Sequence, residues 1–555
     1  MDSKYTMPWE KVHTELGITP PAIDDTPIGK IVELHSTNFS ERVALRFFNL
    51  EITYSELDQY ANRFANSLVR LGVRQDDVVG LHMVNIPQYI IALLAISKIG
   101  CAGSGVSPLL APSELAYQLN DANISVLLSM DTLVSATFSR IEALPSCLKT
   151  VIVTTATDHI SDVDIELPAI QVPNVYSYLD LLNKESEHFS HRQLDGDTTF
   201  MIQYTGGTTG KPKGAMLSMR NLMCDADMAM NMGAWGIGVD YCASAFPMFH
   251  VAGLGFAIYG LKAAAEILMI PDPRDIDHFC DQMKVSPPTV IAAVPALYQG
   301  LIANPKVKEI DFSRLKLAIT GAAPLTQQDR HNIEAVIGKG VLSDLYGMTE
   351  TSPVHVCNPR KRTKPSSVGI PVPGAETRIV DLETGTNEMP SGEAGEIITS
   401  GPHVMKGYLN RPGETANALR QWRGKTWMYS GDVGYMDEEG YVYLCDRAKD
   451  MLIVGGYKVF SVEVEDKLAE LDFIASSAVI GSPDKTRPGN DVVNLFVELS
   501  PDVNADEEDL KNKITDFCRA SMSPYKVPKV IKFVEAIPLT PVGKLDKKRL
   551  RAGLG

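Results

Sequence analysis

From Thr53 onward the apolar residues Leu57, Ala61, Phe64, Ala65, Leu68 and Leu71 recur at the spacing that lines one face of a helix. Thr53 with Glu56 supplies a capping box at its start, and Gly72 ends it. The pattern then changes to short continuous apolar runs: VVGLHMV at 78–84, ISVLLSM at 124–130, KTVIVTT at 149–155 and PTVIAAV at 288–294. Such runs predict buried strands, and their alternation with helix-patterned stretches predicts an α/β architecture. The most hydrophobic segment, 89–106, contains Lys98 and several Gly and Ser residues, so it predicts a buried helix followed by a turn and not a membrane span.

The texture shifts beyond GDVGYMDEEGYVYLCDRAKD at 431–450. FSVEVEDKLAEL, AVIGSPD, VVNLFVEL, a charged helical run over 506–519 and KVIKFVEAIPLTPVGKLDKKRLR form a compact mixture of helix and strand, about a hundred residues long and within the usual domain range. The expectation is a large N-terminal domain of α/β subdomains over 1–448 and a small mobile α+β domain over 449–555. A chain of 555 residues exceeds what one core supports, in keeping with at least two domains.

Composition narrows the function classes. With 45% apolar and 22% charged residues the chain is an ordinary globular protein, and its net charge of −16 excludes a nucleic-acid binder that works by neutralising a phosphate backbone. The basic run RKRTK at 360–364 reads as a solvated loop, and Met228, Met230 and Met232 as packing residues. Eight scattered cysteines without a CxxC or His-Cys cluster indicate neither a zinc site nor a disulfide framework. With no apolar core in MDSKYTMPWEKVH, a cytoplasmic setting is expected, peripheral attachment to a membrane staying open. The oligomeric state is also open, a homodimer included.

The richest chemistry lies in YTGGTTGKPKG at 204–214. Gly206, Gly207 and Gly210 let backbone N–H groups approach phosphate oxygens, Thr205, Thr208 and Thr209 add hydroxyls, and Lys211 and Lys213 add cations. A Walker loop needs four residues between its glycines and Ser or Thr after the Lys; here Gly206 and Gly210 enclose fewer and Pro212 follows Lys211. The loop is expected to join two strands, with Ser218 capping a helix after the second.

Further motifs follow in order: FPMFHVAGLG at 246–255, LAITGAAPL at 317–325, DLYGMTE at 344–350, YSGDVG at 429–434, DRAKD at 446–450, the Gly455–Gly456–Tyr457 loop and PLTPVGKLD at 538–546. Singly, each has a plain alternative. DLYGMTE could be a loop with a helix cap, Asp432 and Arg447 halves of surface ion pairs, Gly455–Gly456 a β-turn, Lys544 a solvated lysine and His250 a satisfied core histidine. Together, in this order, they resemble the adenylate-forming superfamily of acyl-CoA synthetases, aryl-CoA ligases, luciferases and peptide-synthetase adenylation domains, most closely the fatty acyl-CoA synthetases.

The resemblance implies a division of roles. Glu350, whose hard oxygens suit Mg²⁺, and Thr205 would meet the metal, and Tyr346 would lie against adenine. Thr349 would contact phosphate, while Asp344 and Gly347 line the same pocket and Gly321, Ala322 and Ala323 separate adenine from the acyl group. Asp432 would hold the ribose, Arg447 the nucleotide and Lys449 the domain hinge; Gly455 and Gly456 would border the pantetheine channel. Lys544, Thr208, Glu350 and His250 form the expected catalytic set. The implied reaction joins a carboxylic acid to coenzyme A through an acyl-adenylate, using ATP and Mg²⁺. Phe249 is followed by His250 and not by an acid, which disfavours an amino-acid substrate. A medium- or long-chain fatty acid is expected; an aryl acid, a carrier-protein acceptor and a luciferase-like reaction with oxygen are the alternatives.

Overall fold

The computed structural model describes residues 7–141, 143–160, 167–192, 195–205, 211–233, 235–321, 325–455, 457–484, 486–501, 503, 505–540 and 545–553. Thr53 caps helix Tyr54–Arg70: Glu56 N–H donates to Thr53 Oγ1 at 3.2 Å, and Thr53 N–H donates to Glu56 Oε2 at 2.8 Å. The face carrying Leu57, Ala61, Phe64, Ala65 and Leu68 is fully buried against helix Pro87–Ile99, each large side chain there contributing on the order of 2 kcal/mol of apolar burial. Helix Pro87–Ile99 leads through a turn into strand Ala102–Val106, so the hydrophobic segment 89–106 is helix and strand.

Two sheets form the large N-terminal part. In the eight-stranded sheet, Thr199–Thr205, Ala102–Val106, Val78–His82, Ile124–Met130, Thr150–Thr154 and Asn174–Ser177 run parallel, with Lys213–Ser218 antiparallel on Thr199–Thr205 and Gly407–Tyr408 at the edge. The nine-stranded sheet has a parallel centre of Leu342–Gly347, Leu317–Thr320, Val290–Ala293, Tyr241–Ser244, Glu266–Met269 and Val43–Phe47. Buried parallel strands need no polar alternation, which is why their sequences are continuous apolar runs. The C-terminal ends of Thr199–Thr205 and Leu342–Gly347 open into the phosphate loop and the Glu350 turn, the edge where open α/β sheets bind ligands.

A five-stranded antiparallel sheet follows, in which the long strand Lys425–Met436 pairs with Gly395–Ser400, Leu419–Trp422 and Val442–Arg447. The small C-terminal domain has hairpin Leu452–Val454 with Tyr457–Val459, a three-stranded sheet of Ile474–Pro483, Asp491–Leu499 and Val530–Val534, and helices Ser461–Leu468, Glu507–Ser521 and Lys547–Ala552. Its apolar core gathers Leu452, Val464, Val479, Leu495 and Ile514. The basic run at 360–364 is not merely solvated. Arg362 pairs with Glu15 at 2.6 Å and with Glu439, and Lys364 pairs with Asp437 at 2.5 Å, tying the N-terminal helix Glu10–Leu16 to the turn after Met436. Opposite charges on segments remote in sequence produce this, and a local charge count cannot register it. Met228 and Met232 are buried beside Tyr346 and Val354, as packing residues.

Candidate active site

The phosphate loop joins two antiparallel strands, with Thr205 opposite Lys213 and Tyr204 opposite Gly214. Ser218 caps the following helix Met219–Gly233 through its Oγ, which accepts Asn221 N–H at 3.1 Å. Gly206, Gly207, Thr208, Thr209 and Gly210 lie outside the described residues. The shoulder of the loop is built by residues the motif reading missed. Tyr117 donates its hydroxyl to the Pro212 carbonyl at 2.9 Å, accepts from Arg411 Nη2 at 2.9 Å, and takes Lys211 Nζ over its ring at 5.1 Å from the centroid. Lys213 Nζ lies 4.5 Å from the centroid of the Tyr408 ring.

Across from this loop, strand Leu342–Gly347 ends in the short turn Thr349–Thr351, which buries Thr349 and Glu350. Here the chain doubles back tightly. A Cβ on Gly347 would stand 1.8 Å from the Pro353 carbonyl oxygen, so only glycine fits. Thr351 Oγ1 donates to that same carbonyl at 2.7 Å. Asp225, fully buried on helix Met219–Gly233, fastens the return strand: Oδ1 accepts Val354 N–H at 2.9 Å and Oδ2 accepts the Tyr259 hydroxyl. Burial raises the Asp225 carboxyl well above the usual carboxylate range, and both hydrogen bonds oppose that rise only in part.

Glu350 itself has one oxygen engaged. The Tyr408 hydroxyl donates to Oε1 at 2.6 Å, and among the described residues nothing donates to Oε2. Asp344 is held by Arg330, whose Nη2 donates to Oδ2 while Nη1 donates to the Leu342 carbonyl at 2.8 Å, so it braces the strand that carries Tyr346. Gly321 faces Leu345, where a Cβ would meet Leu345 Cδ1 at 2.8 Å; Ala322 and Ala323 lie outside the described residues.

Tyr346, Asp432 and Arg447 form one chain of contacts. The Tyr346 hydroxyl donates to Asp432 Oδ2 at 2.8 Å, and Arg447 Nε stands 3.2 Å from Asp432 Oδ1, the two residues facing each other in register on adjacent strands. Tyr346 is only 7% exposed and its ring rests edge-on against His355. His355 stacks in turn on His403, and burial lowers both imidazoles, His403 to about 3.

His250 caps helix Val251–Lys262, its Nδ1 accepting Ala252 N–H at 3.3 Å. That acceptor role puts the ring proton on Nε2. Gly253 and Gly255 let this helix pack closely, a Cβ at Gly255 falling 2.6 Å from Pro353 Cδ. The wall under His250 thereby touches the turn after Glu350.

On the other side, Lys449 follows Arg447 out of the antiparallel sheet. Crowding by the surrounding chain, with the like charges of Arg447 and Arg551, lowers its ammonium to about 8, although its surface remains open to solvent. Gly455 turns the small-domain hairpin at φ +61°, where its N–H donates to Asn490 Oδ1 at 2.7 Å. Gly456 and Lys544 lie outside the described residues. The structure therefore links Lys213, the register partner of Thr205, to Glu350 through Tyr408, and joins Tyr346, Asp432 and Arg447 in one line of contacts. Among the described residues no group of three or more His, Cys, Asp or Glu makes a preformed metal cage. A carboxylate with an unengaged oxygen suits Mg²⁺, which keeps waters and substrate phosphates as its other ligands.

This arrangement matches known proteins over its length. Residues 32–409 match the AMP-binding enzyme family and residues 463–544 match the AMP-binding enzyme C-terminal domain. The chain belongs to the AMP-binding enzyme family. It is an enzyme of the family's AMP-forming acyl-CoA ligase class, and it adenylates its carboxylic acid with ATP. A long-chain-fatty-acid–CoA ligase of Bacillus subtilis (strain 168) is 34% identical over 536 residues, covering 93% of this chain and 92% of that one. Among solved structures, an anthranilate CoA ligase with anthranoyl-AMP superposes with a TM-score of 0.85 at 25% identity, covering 95% of this chain and 97% of that one. ATP-bound MatB of Rhodopseudomonas palustris gives 0.80 at 28% identity, covering 94% and 98%. Among the described residues no helix is long and apolar enough to cross a membrane.

Proposed function

We propose that this AMP-binding enzyme activates a medium- or long-chain fatty acid and transfers it to coenzyme A, with Mg²⁺ as its metal. The convergence of Thr205, Lys213 and Glu350 beside the Tyr346–Asp432–Arg447 line carries the reading. A fatty carboxylate is ionised at pH 7, so its attack on the α-phosphate needs no general base, and the problem left to the protein is negative charge. Mg²⁺, when bound, supplies Lewis-acid neutralisation of phosphate oxygens at Glu350 and Thr205. Thr205, Gly206, Gly207, Thr208, Thr209, Gly210 and Lys213 cradle the β- and γ-phosphates, and Thr349 contacts the phosphate next to them. Asp432 holds the ribose, Arg447 contacts the nucleotide, Tyr346 borders the base, and Asp344 and Gly347 shape that pocket. Gly321, Ala322 and Ala323 separate nucleotide from acyl group, and His250 stands at the pocket entrance near the incoming carboxylate.

Lys544 bridges the carboxylate and α-phosphate as pyrophosphate departs. The domain boundary falls at Lys449, about which residues 449–555 turn. That turn withdraws Lys544 and brings Gly455 and Gly456 to the acyl-adenylate for attack by the thiolate, releasing AMP. Similarity to the Bacillus subtilis enzyme, together with the apolar walls of segments 246–255 and 292–298, supports the fatty acid. An aryl acid is the second reading, favoured by likeness to the anthranilate ligase. The test is to supply Mg-ATP, coenzyme A and acids of graded chain length beside aryl acids, and to measure pyrophosphate and thioester. Thioester is expected chiefly from the medium and long chains. Preference for aryl acids overturns the substrate, and pyrophosphate without thioester overturns the acceptor.

A further inference from the structure

Tyr408 belongs to none of the motifs, yet it stands where two of them meet. Its two-residue strand Gly407–Tyr408 pairs antiparallel with Lys213–Ser218, the strand leaving the phosphate loop, with Tyr408 opposite Ala215. Flanking bonds clamp that register: Lys406 N–H donates to the Met216 carbonyl at 3.0 Å and Leu409 N–H to the Gly214 carbonyl at 2.8 Å. On the other side, Met405 N–H donates to the Glu350 carbonyl at 2.9 Å. Tyr408 N–H donates to Thr415 Oγ1 at 2.9 Å, which sets the backbone from below. The side chain is thus held on both flanks and is 6% exposed.

Both functional ends of this tyrosine are occupied by site residues. Its hydroxyl donates to Glu350 Oε1 at 2.6 Å, and its ring face takes the Lys213 ammonium at 4.5 Å. Lys213 is in turn the register partner of Thr205. We propose that Tyr408 is a positioning residue that couples the phosphate loop to the metal-binding carboxylate. Its hydroxyl fixes Glu350 so that Oε2 is presented to the cation, and its ring seats Lys213 at the mouth of the loop. This rests on the reading of Glu350 as the Mg²⁺ ligand.

The physical case has two parts. A short hydrogen bond to an ionised carboxylate is among the stronger ones, and it selects one rotamer of an otherwise flexible glutamate. A cation held over a ring gains little compared with one facing phosphate, so Lys213 is retained near the loop without being locked there.

The test measures equilibrium ATP binding by calorimetry on the full chain, with Mg²⁺ and with EDTA. Four proteins are compared: wild type, Tyr408→Phe, Glu350→Gln and the double variant. In EDTA, Tyr408→Phe is expected to bind ATP as the wild type does. With Mg²⁺ its metal-dependent gain in affinity is expected to fall by roughly tenfold, the scale of a lost hydrogen bond to a charged group. In the Glu350→Gln background the same change is expected to have no further effect, because Tyr408 acts through that carboxylate. If Glu350→Gln leaves the Mg²⁺ gain intact, the reading of Glu350 falls. If Glu350→Gln abolishes the gain while Tyr408→Phe preserves it, or if the two losses simply add, the coupling by Tyr408 falls and the reading of Glu350 stands.

Discussion

Asp446 Oδ2 accepts both the N–H and the hydroxyl of Ser461, at 2.5 and 2.7 Å, with both residues buried. Asp446 ends the antiparallel sheet of the large domain, and Ser461 begins the first helix of the small one, where a carboxylate also meets the positive end of the helix dipole. Lys449 lies between them in sequence. On the proposed turn of the small domain about Lys449, Ser461 would leave Asp446, so these bonds would favour the arrangement seen here. Asp446→Ala removes hydrogen bonds to a charged acceptor, each of about 1.5–3 kcal/mol in such settings. The expected result is a shift of at least about tenfold in the ratio of the two half-reaction rates. Pyrophosphate release and thioester formation from synthetic acyl-adenylate measure that ratio, and an unchanged ratio in a folded variant removes Asp446 from domain movement.

Lys544→Ala separates the half-reactions differently. Loss of one charge-stabilising group in a transition state costs about 3 kcal/mol, so adenylation should slow by on the order of a hundredfold. Thioester formation from supplied acyl-adenylate should change little, since the proposed alternation withdraws the lysine for that step. Equal damage to both contradicts alternation about Lys449. The two variants together are informative: Asp446→Ala moves a balance, whereas Lys544→Ala removes one arm of it.

What was legible in the chain follows from the range of the interactions. The Thr53–Glu56 cap, the helix it starts and the buried strands depend on near neighbours, and the apolar periods display them directly. The strand–loop–strand form of 199–218 is equally local. Tyr408 was not legible, because its partner Glu350 is 58 residues away and only strand pairing brings them together. Arg330 and Asp225 escaped notice for the same reason, one reading as a surface helix charge and the other as an acid among methionines. The motifs read Asp432 and Arg447 as separate nucleotide contacts or as halves of ion pairs, and the sheet register makes them partners of each other. A signal was available for Tyr408: an aromatic between two glycine-rich turns, KGYLNRPG, at the edge of an apolar run.

Buried histidines should weaken the fold in acid. Burial strips hydration from the imidazolium form, lowering His82 and His159 to about 4, His403 to about 3 and His355 well below its ordinary value. Unfolded histidine titrates near 6.5, so below that pH the unfolded chain binds more protons than the folded one. Their contribution is complete above about pH 6.5 and is lost as pH falls toward 4, at up to ~1.4 kcal/mol per unit for each histidine. Urea unfolding at a series of pH values should show this slope, and His403→Gln should flatten it. Because His355 supports the Tyr346 ring, ATP affinity should weaken along with stability on the acid side. A stability flat from about pH 7 to about pH 5 contradicts the assignment.

The last prediction concerns a charge pair far from the chemistry. Lys98, 1% exposed on the buried helix Pro87–Ile99, donates from Nζ to Asp58 Oδ1 at 2.7 Å, with His191 Nε2 at 3.3 Å and Glu33 beyond it. Asn62 Nδ2 donates to the other oxygen of Asp58 at 2.9 Å, so the carboxylate is satisfied only as a network. Removing one partner of a buried pair leaves an uncompensated charge and costs about 3–5 kcal/mol, whereas replacing both by apolar residues is often neutral. Lys98→Met should therefore lower stability by about 3–5 kcal/mol in chemical denaturation, and Lys98→Met with Asp58→Leu should recover most of that loss. Recovery locates the cost in the orphaned carboxylate. A double variant as damaged as the single one locates it instead in the packing of the lysine stem, whose Cγ lies close enough to Gly29 that a Cβ there would touch it at 3.0 Å.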